Sequence, residues 1–218
     1  IYVRAIDVAG NIKADYVQFT IQTGVKIISP TEDPSTGKAY VGSDDVAISW
    51  TQMNNLDHYE IYLNGSLYAI TNSTNYVIAD LTEGIWNITV KAVYLDGTSS
   101  YDYRIVVVDL SPPAVSPSKQ MFTVNSVVNT LVISWSGSDS PSGIDHYELY
   151  VNGVWIDVGN STSYDIDTTG MSDDIYAVYI RAFDKAGHHS QTAIILIVDR
   201  TPPVLNILSP ENNSIVST

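Results

Sequence analysis

The chain contains no cysteine. That excludes disulfide bonds and thiolate metal sites but leaves an extracellular home open, since many prokaryotic surface proteins use neither. Basic residues are scarce: 10 Lys and Arg stand against 24 Asp and Glu, a formal net charge of -14 in 218 residues. Phosphate backbones and anionic membrane surfaces repel such a chain, which argues against nucleic-acid binding and direct membrane insertion. Long hydrophobic runs are missing as well. The longest aliphatic stretch, Ala-Ile-Ile-Leu-Ile-Val at 193–198, is far too short to cross a bilayer. No signal peptide opens the sequence. It starts inside what reads as a strand, Ile-Tyr-Val-Arg-Ala-Ile-Asp-Val-Ala-Gly-Asn, and is expected to be an excerpt of a longer polypeptide. No segment of useful length repeats its apolar residues every 3.6 positions, so helix is expected to be scarce.

Catalytic constellations are also missing. There is no Gly-rich phosphate loop, no G-x-S-x-G elbow and no H-E-x-x-H. Of the four histidines, His58 and His146 alternate outward beside inward tyrosines and read as surface side chains. His188 and His189 share a hairpin loop with Asp184 and offer adventitious metal ligands at most. The carboxylate pairs Asp44-Asp45 and Asp173-Asp174 lie in loops, where sequence neighbours diverge and paired acid–base work is not expected. No enzymatic activity is expected of these residues.

What the chain does contain is itself, more than once. Asp-His-Tyr-Glu-Ile-Tyr-Leu-Asn-Gly at 57–65 returns as Asp-His-Tyr-Glu-Leu-Tyr-Val-Asn-Gly at 145–153. Val-Ala-Ile-Ser-Trp at 46–50 matches Leu-Val-Ile-Ser-Trp at 131–135, and the segments at 90–97 and 107–113 match those at 180–187 and 197–203. The spacing drifts from 85 to 90 positions, so small insertions fall at loops. A partial third copy, residues 2–11, matches 179–188. Two full units and two fragments make a tandem array.

Each unit alternates apolar and polar residues with a period of two. Val46, Ile48 and Trp50 point one way, as do their counterparts Leu131, Ile133 and Trp135. Tyr59, Ile61 and Leu63 do the same, matched by Tyr147, Leu149 and Val151. Asn64-Gly65 and Asn152-Gly153 then supply the positive φ angles of tight hairpin turns. Seven or so short strands around one central tryptophan predict a two-sheet sandwich.

The landmarks come in a specific order. A tryptophan ends the second strand and a tyrosine sits in the third; a corner of Leu81, Gly84 and Trp86 precedes a Val-x-Ala-Val/Phe strand. In that order the units resemble fibronectin type III domains or close immunoglobulin-like relatives. The Asp-x-Ala-Gly hairpins, with the Asp-x-Ser/Thr-Pro-Pro junctions at 109–113 and 199–203, resemble tandem repeats of bacterial and archaeal surface proteins. The resemblance covers nearly the whole chain, and its motifs are structural, so it implies a fold far more than an activity. It implies an all-β chain of tandem Greek-key sandwiches arranged as a rod. Residues 1–24 would be the last two strands of a preceding repeat, 25–110 repeat one, 111–200 repeat two and 201–218 the first strand of a following repeat. The paired prolines fix φ and donate no hydrogen bond, so each junction is expected to be short and stiff.

The implied function is a structural segment of a long extracellular, cell-surface protein, archaeal by its features: an S-layer protein, surface filament or adhesin stalk. Its partners would be neighbouring repeats and homotypic lateral contacts. The alternative is a carbohydrate-binding or spacer module accompanying a secreted polysaccharide-active enzyme. That alternative wants exposed aromatics on one sheet face, and Tyr62, Tyr150, Tyr179 and Trp155 are the candidates. Three further expectations concern sites. Asn-x-Ser/Thr occurs at Asn64, Asn72, Asn87, Asn160 and Asn212, all in turns or outward strand positions open to glycosylation. Asp109, Asp139 and Asp184 lie in segments that meet at one end of such a sandwich and would present hard oxygen ligands to calcium, although an aspartate capping a turn is the simpler account. The last strand of each repeat is apolar on both faces, Ile105 and Val107 in one and Ile195 and Ile197 in the other. The outward set is either covered by the chain itself or forms a lateral contact, with Ile195 and Ile197 the candidate residues.

Overall fold

The computed structural model describes residues 2–16, 23–206 and 208. Every regular element among them is a strand. The first two, β1 (Tyr2–Ile6) and β2 (Ile12–Tyr16), form an antiparallel hairpin in which Ile6 opposes Ile12.

Eight strands follow in two sheets. One sheet has the order β3-β5-β8, from β3 (Ile27–Ser29), β5 (Val46–Trp50) and β8 (Asn75–Ile78). The other has the order β4-β10-β9-β6-β7, from β4 (Ala39–Val41), β6 (Leu56–Leu63), β7 (Ser66–Thr71), β9 (Gly84–Tyr94) and β10 (Ser99–Val108). The next eight strands repeat the plan. The sheet β11-β13-β16 is built from β11 (Ala114–Pro117), β13 (Thr130–Ser138) and β16 (Ser163–Asp167). The sheet β12-β18-β17-β14-β15 is built from β12 (Met121–Val124), β14 (Ile144–Val151), β15 (Val154–Gly159), β17 (Asp174–Asp184) and β18 (His189–Val198).

By compactness the chain divides into Ile1–Thr31, Ala47–Val77 and Asn87–Arg104 on one hand and Glu32–Val46, Ile78–Trp86 and Ile105–Thr218 on the other. This division falls inside the first pair of sheets, whose β4 is grouped with the second unit.

Each sandwich has one more strand than the seven the periodicity suggests, because its first strand is split. β3 pairs antiparallel with β5 in one sheet, whereas β4 pairs parallel with β10 in the other. Pro30 directly follows β3, and Pro117 ends the equivalent β11 before β12 joins β18 in parallel. Proline has no amide hydrogen for the ladder, so the strand stops there and resumes on the other sheet.

The predicted inward residues form the cores. In the second sandwich Ile133, Trp135 and Ile166 of the three-stranded sheet pack with Tyr147, Leu149, Val178, Ile180 and Leu196 of the five-stranded sheet. Trp135 meets Tyr147 edge-on, with ring centroids 5.9 Å apart, and Trp50 meets Tyr59 in the same way at 5.3 Å. Such edge-to-face pairs place the positive ring rim against the negative ring face. Asn64 and Asn152 take φ of 48° and 51°, as the hairpin turns require.

Strand parity predicts full burial for Trp86 of the corner and for its counterpart Tyr176, yet both are only half-buried because each reaches back to the backbone. Trp86 Nε1 donates to the Thr82 carbonyl at 2.9 Å, and the Tyr176 hydroxyl donates to the Ser172 carbonyl at 3.1 Å. A polar tip held at the sandwich edge anchors the turn and keeps the ring from sinking into the core.

Candidate functional site

The segment after β10 brings Asp109 against the loops that follow β13 and β17, all within residues 105–218. Asp109 is fully buried and Asp184 is 3% exposed. Ligand-capable atoms of Asp109, Asp184 and His188 lie within 4.8 Å of one another. Asp139 lies beside this set and is tied to it through Ser142, whose amide donates to Asp109 and whose hydroxyl donates to Asp139 Oδ2 at 3.0 Å. The loop holds these carboxylates with its own amides. Ser142 N donates to Asp109 Oδ2 at 3.1 Å, Gly143 N to Asp139 Oδ2 at 2.8 Å, and His188 N to Asp184 Oδ1 at 2.9 Å. The Asp184–His188 contact is also the turn cap expected of an Asp-x-Ala-Gly hairpin. Asp7 makes the same contact in the β1–β2 hairpin, accepting the Asn11 amide at 2.9 Å.

Burial opposes ionisation of Asp109, but hydrogen bonds from the Ser142 side chain and from the Ser111 and Ser142 amides outweigh it and hold its carboxyl below the usual range. Asp139 is pushed the other way, first by burial and then by the Asp109 charge. Two neighbouring carboxyl groups titrate as a pair, one keeping its proton longer. The group that converges is two carboxylates and an imidazole, Asp109, Asp184 and His188, with Asp139 beside it but not among the three; carboxylate oxygens are the hard donors calcium takes, and the imidazole nitrogen is not. Sequence reasoning linked His188 with Asp184 alone, because its approach to Asp109 spans far too much chain for spacing to reveal.

Of the four aromatics named from the sequence, the structure gathers three. Tyr150 stands opposite Trp155 on β15 and Tyr179 on β17, with ring centroids 5.2 and 5.8 Å away. The Arg181 guanidinium lies over the Trp155 ring at 4.0 Å and pairs with Glu148 at 3.3 Å. Phe183, unremarked in the sequence, extends the group: His146 stacks flat on it at 4.5 Å. Tyr62 occupies the equivalent place in the first sandwich, apart from these. Its hydroxyl donates to Glu60 at 2.8 Å, and Lys91 and Tyr62 together hold the Glu60 carboxyl down to about 2.

Asn64, Asn72, Asn87 and Asn160 are exposed. The Asn64 side chain is occupied, accepting the Asn87 amide at 2.9 Å, whereas Asn72 and Asn160 sit at the same place in the two sandwiches, on the β7–β8 and β15–β16 loops. Asn212 lies outside the described residues. In the last strands, Val107 is buried and Ile105 half-buried, while Ile195 is 42% exposed on the outward face and Ile197 is half-buried. β12 covers the edge of β18 but not that face.

Sheet order, the split first strand, the central tryptophan and the aromatic corner define a class: β-sandwiches of the fibronectin type III and immunoglobulin-like kind. Comparison with known proteins agrees. The fibronectin(III)-like modules of Clostridium thermocellum CbhA superpose with a TM-score of 0.53 at 20% identity, covering 81% of this chain and 94% of theirs. No family model matches the chain. A Kelch domain-containing protein of Sulfurisphaera tokodaii is 26% identical over 198 residues, which is 86% of this chain and 26% of that protein. Exoglucanase B of Cellulomonas fimi is 25% identical over 219 residues, 92% of this chain and 20% of that protein. The chain therefore spans about a quarter of the length of the curated relatives it matches.

Proposed function

We propose that the chain is a spacer segment of a long extracellular surface polypeptide, of S-layer, filament or adhesin-stalk type, and that it catalyses no reaction. Repeat one runs over 25–110 and repeat two over 111–200, and their partners are neighbouring repeats of the same chain. The observation that carries this reading is the same core built twice, with Trp50 on Tyr59 and Trp135 on Tyr147 in the same edge-on arrangement. Sequence likeness to a fifth of exoglucanase B and a quarter of a Kelch domain-containing protein supports a segment set among other domains of a longer chain. Pulling on the chain with a force probe is expected to give two separate unfolding events. Each should release about 300 Å of chain, at roughly 3.6 Å per residue. A single event of about twice that length would show one cooperative body and end the reading.

We also propose that calcium is held by Asp109, Asp139 and Asp184, and that native material carries glycans at Asn72 and Asn160, whose carboxamides make no hydrogen bond to the described residues. Peptide mass spectrometry of the chain from its own source checks the glycans. Unmodified peptides at both positions would remove that part of the proposal.

A further inference from the structure

The two sandwiches share a core but not an outer face, and the first serves as an internal control for the second. Tyr62 and Tyr150 are equivalent, and the ladders align their neighbours. Opposite Tyr62 stand Leu67 on β7 and Thr89 on β9; opposite Tyr150 stand Trp155 on β15 and Tyr179 on β17. Two rows along the same face, His58 faces Val93 where His146 faces Phe183. The fold is therefore complete with leucine, threonine and valine at these three places, and the aromatic rings of the second sandwich answer to something other than the core.

We propose that the outward face of β15-β14-β17, centred on Trp155, Tyr150 and Tyr179, is a contact platform for a neutral polysaccharide. A pyranose ring presents polarised C–H bonds on one face, which complement the negative face of an aromatic ring, and hydroxyls around its rim. The platform offers both. Trp155 is 37% exposed, with the Arg181 guanidinium over one face of its ring, and the hydroxyls of Tyr150 and Tyr179 make no hydrogen bond to the described residues, so both are open to a sugar hydroxyl. In the first sandwich the matching hydroxyl of Tyr62 is already taken by Glu60.

Charge selects the partner. Arg181 is neutralised by Glu148 at 3.3 Å, Asp157 stands beside them on β15, and the chain as a whole carries -14. A polyanion is repelled here, whether an acidic glycan, a nucleic acid or an anionic membrane, while an uncharged polymer meets no penalty. The platform does not depend on the spacer reading.

The test is sedimentation of the whole chain with microcrystalline cellulose, chitin and insoluble mannan, with and without added salt. Saturable binding to at least one, insensitive to salt, is expected. The double variant W155L/Y179T installs the residues that the first sandwich carries at the same places. It should bind at least tenfold more weakly with an unchanged melting profile. No binding to any of the three polymers would overturn the proposal, as would equal binding by the variant.

Discussion

Trp135→Ala is expected to unfold the second sandwich while leaving the first intact. Trp135 is 5% exposed and packs edge-on to Tyr147 in the centre of its core. Its indole Nε1 has no hydrogen-bond partner there, so the change removes packing alone. Truncating a buried tryptophan to alanine costs about 3–5 kcal/mol. A sandwich of this size has about 4–13 kcal/mol in all, at roughly 0.05–0.15 kcal/mol per residue. The substitution thus takes a large share of the whole. At about 4–8 °C per kcal/mol, the melting point should fall by roughly 12–40 °C. Calorimetry of the variant should show one transition moved and one in place. Trp50→Ala should move the other, and Trp135→Phe should do much less than alanine because most of the volume stays. Both transitions moving together in either alanine variant would mean that the repeats are not self-contained.

The cores were legible in the sequence because strand periodicity acts residue by residue. Ile48 and Trp50 alternate inward, as do Tyr59 and Ile61, and nothing distant has to be known to place them. The hairpins were legible for the same reason, since Asn64-Gly65 sets its φ angles locally. What stayed hidden depends on pairing. β4 has three residues and joins β10 in parallel, and three residues carry no period to read. The Tyr150–Tyr179 contact depends on the pairing of β14 with β17, strands far apart in sequence, and no local spacing reveals it. The half-burial of Trp86 and Tyr176 escaped because strand parity gives direction but not depth. Meanwhile Asp109, Asp139 and Asp184 were named together because the sandwich resemblance brings their loops to one end. His188 was linked only to Asp184, its partner within one turn.

Calcium is expected to raise the melting temperature of the second sandwich, and to raise it more as pH increases. Asp139 is the group that sets the sign. Burial first, and then the Asp109 charge, push its carboxyl above the ordinary 3.8, so the folded state holds that proton more tightly than the unfolded chain does. The stability it contributes is fully present below 3.8 and is lost as pH rises through the raised value. Asp109 is shifted downward, so its contribution is present above 3.8 and fades only in stronger acid. In chelator, then, the second sandwich should weaken over the interval just above 3.8, where Asp139 gives up its proton beside a charged Asp109. A cation reverses this, because it binds the ionised carboxylates and competes with the proton. At a calcium concentration about a hundred times the dissociation constant, the gain is about 2.7 kcal/mol. Asp184→Asn should abolish the calcium effect, and Asp139→Asn should also flatten the pH slope measured in chelator. A calcium shift equal in acid and at neutrality, or none at all, would leave Asp184 as a turn cap and nothing more. A response to zinc in place of calcium would instead assign the set to the His188 nitrogen together with its neighbouring carboxylates.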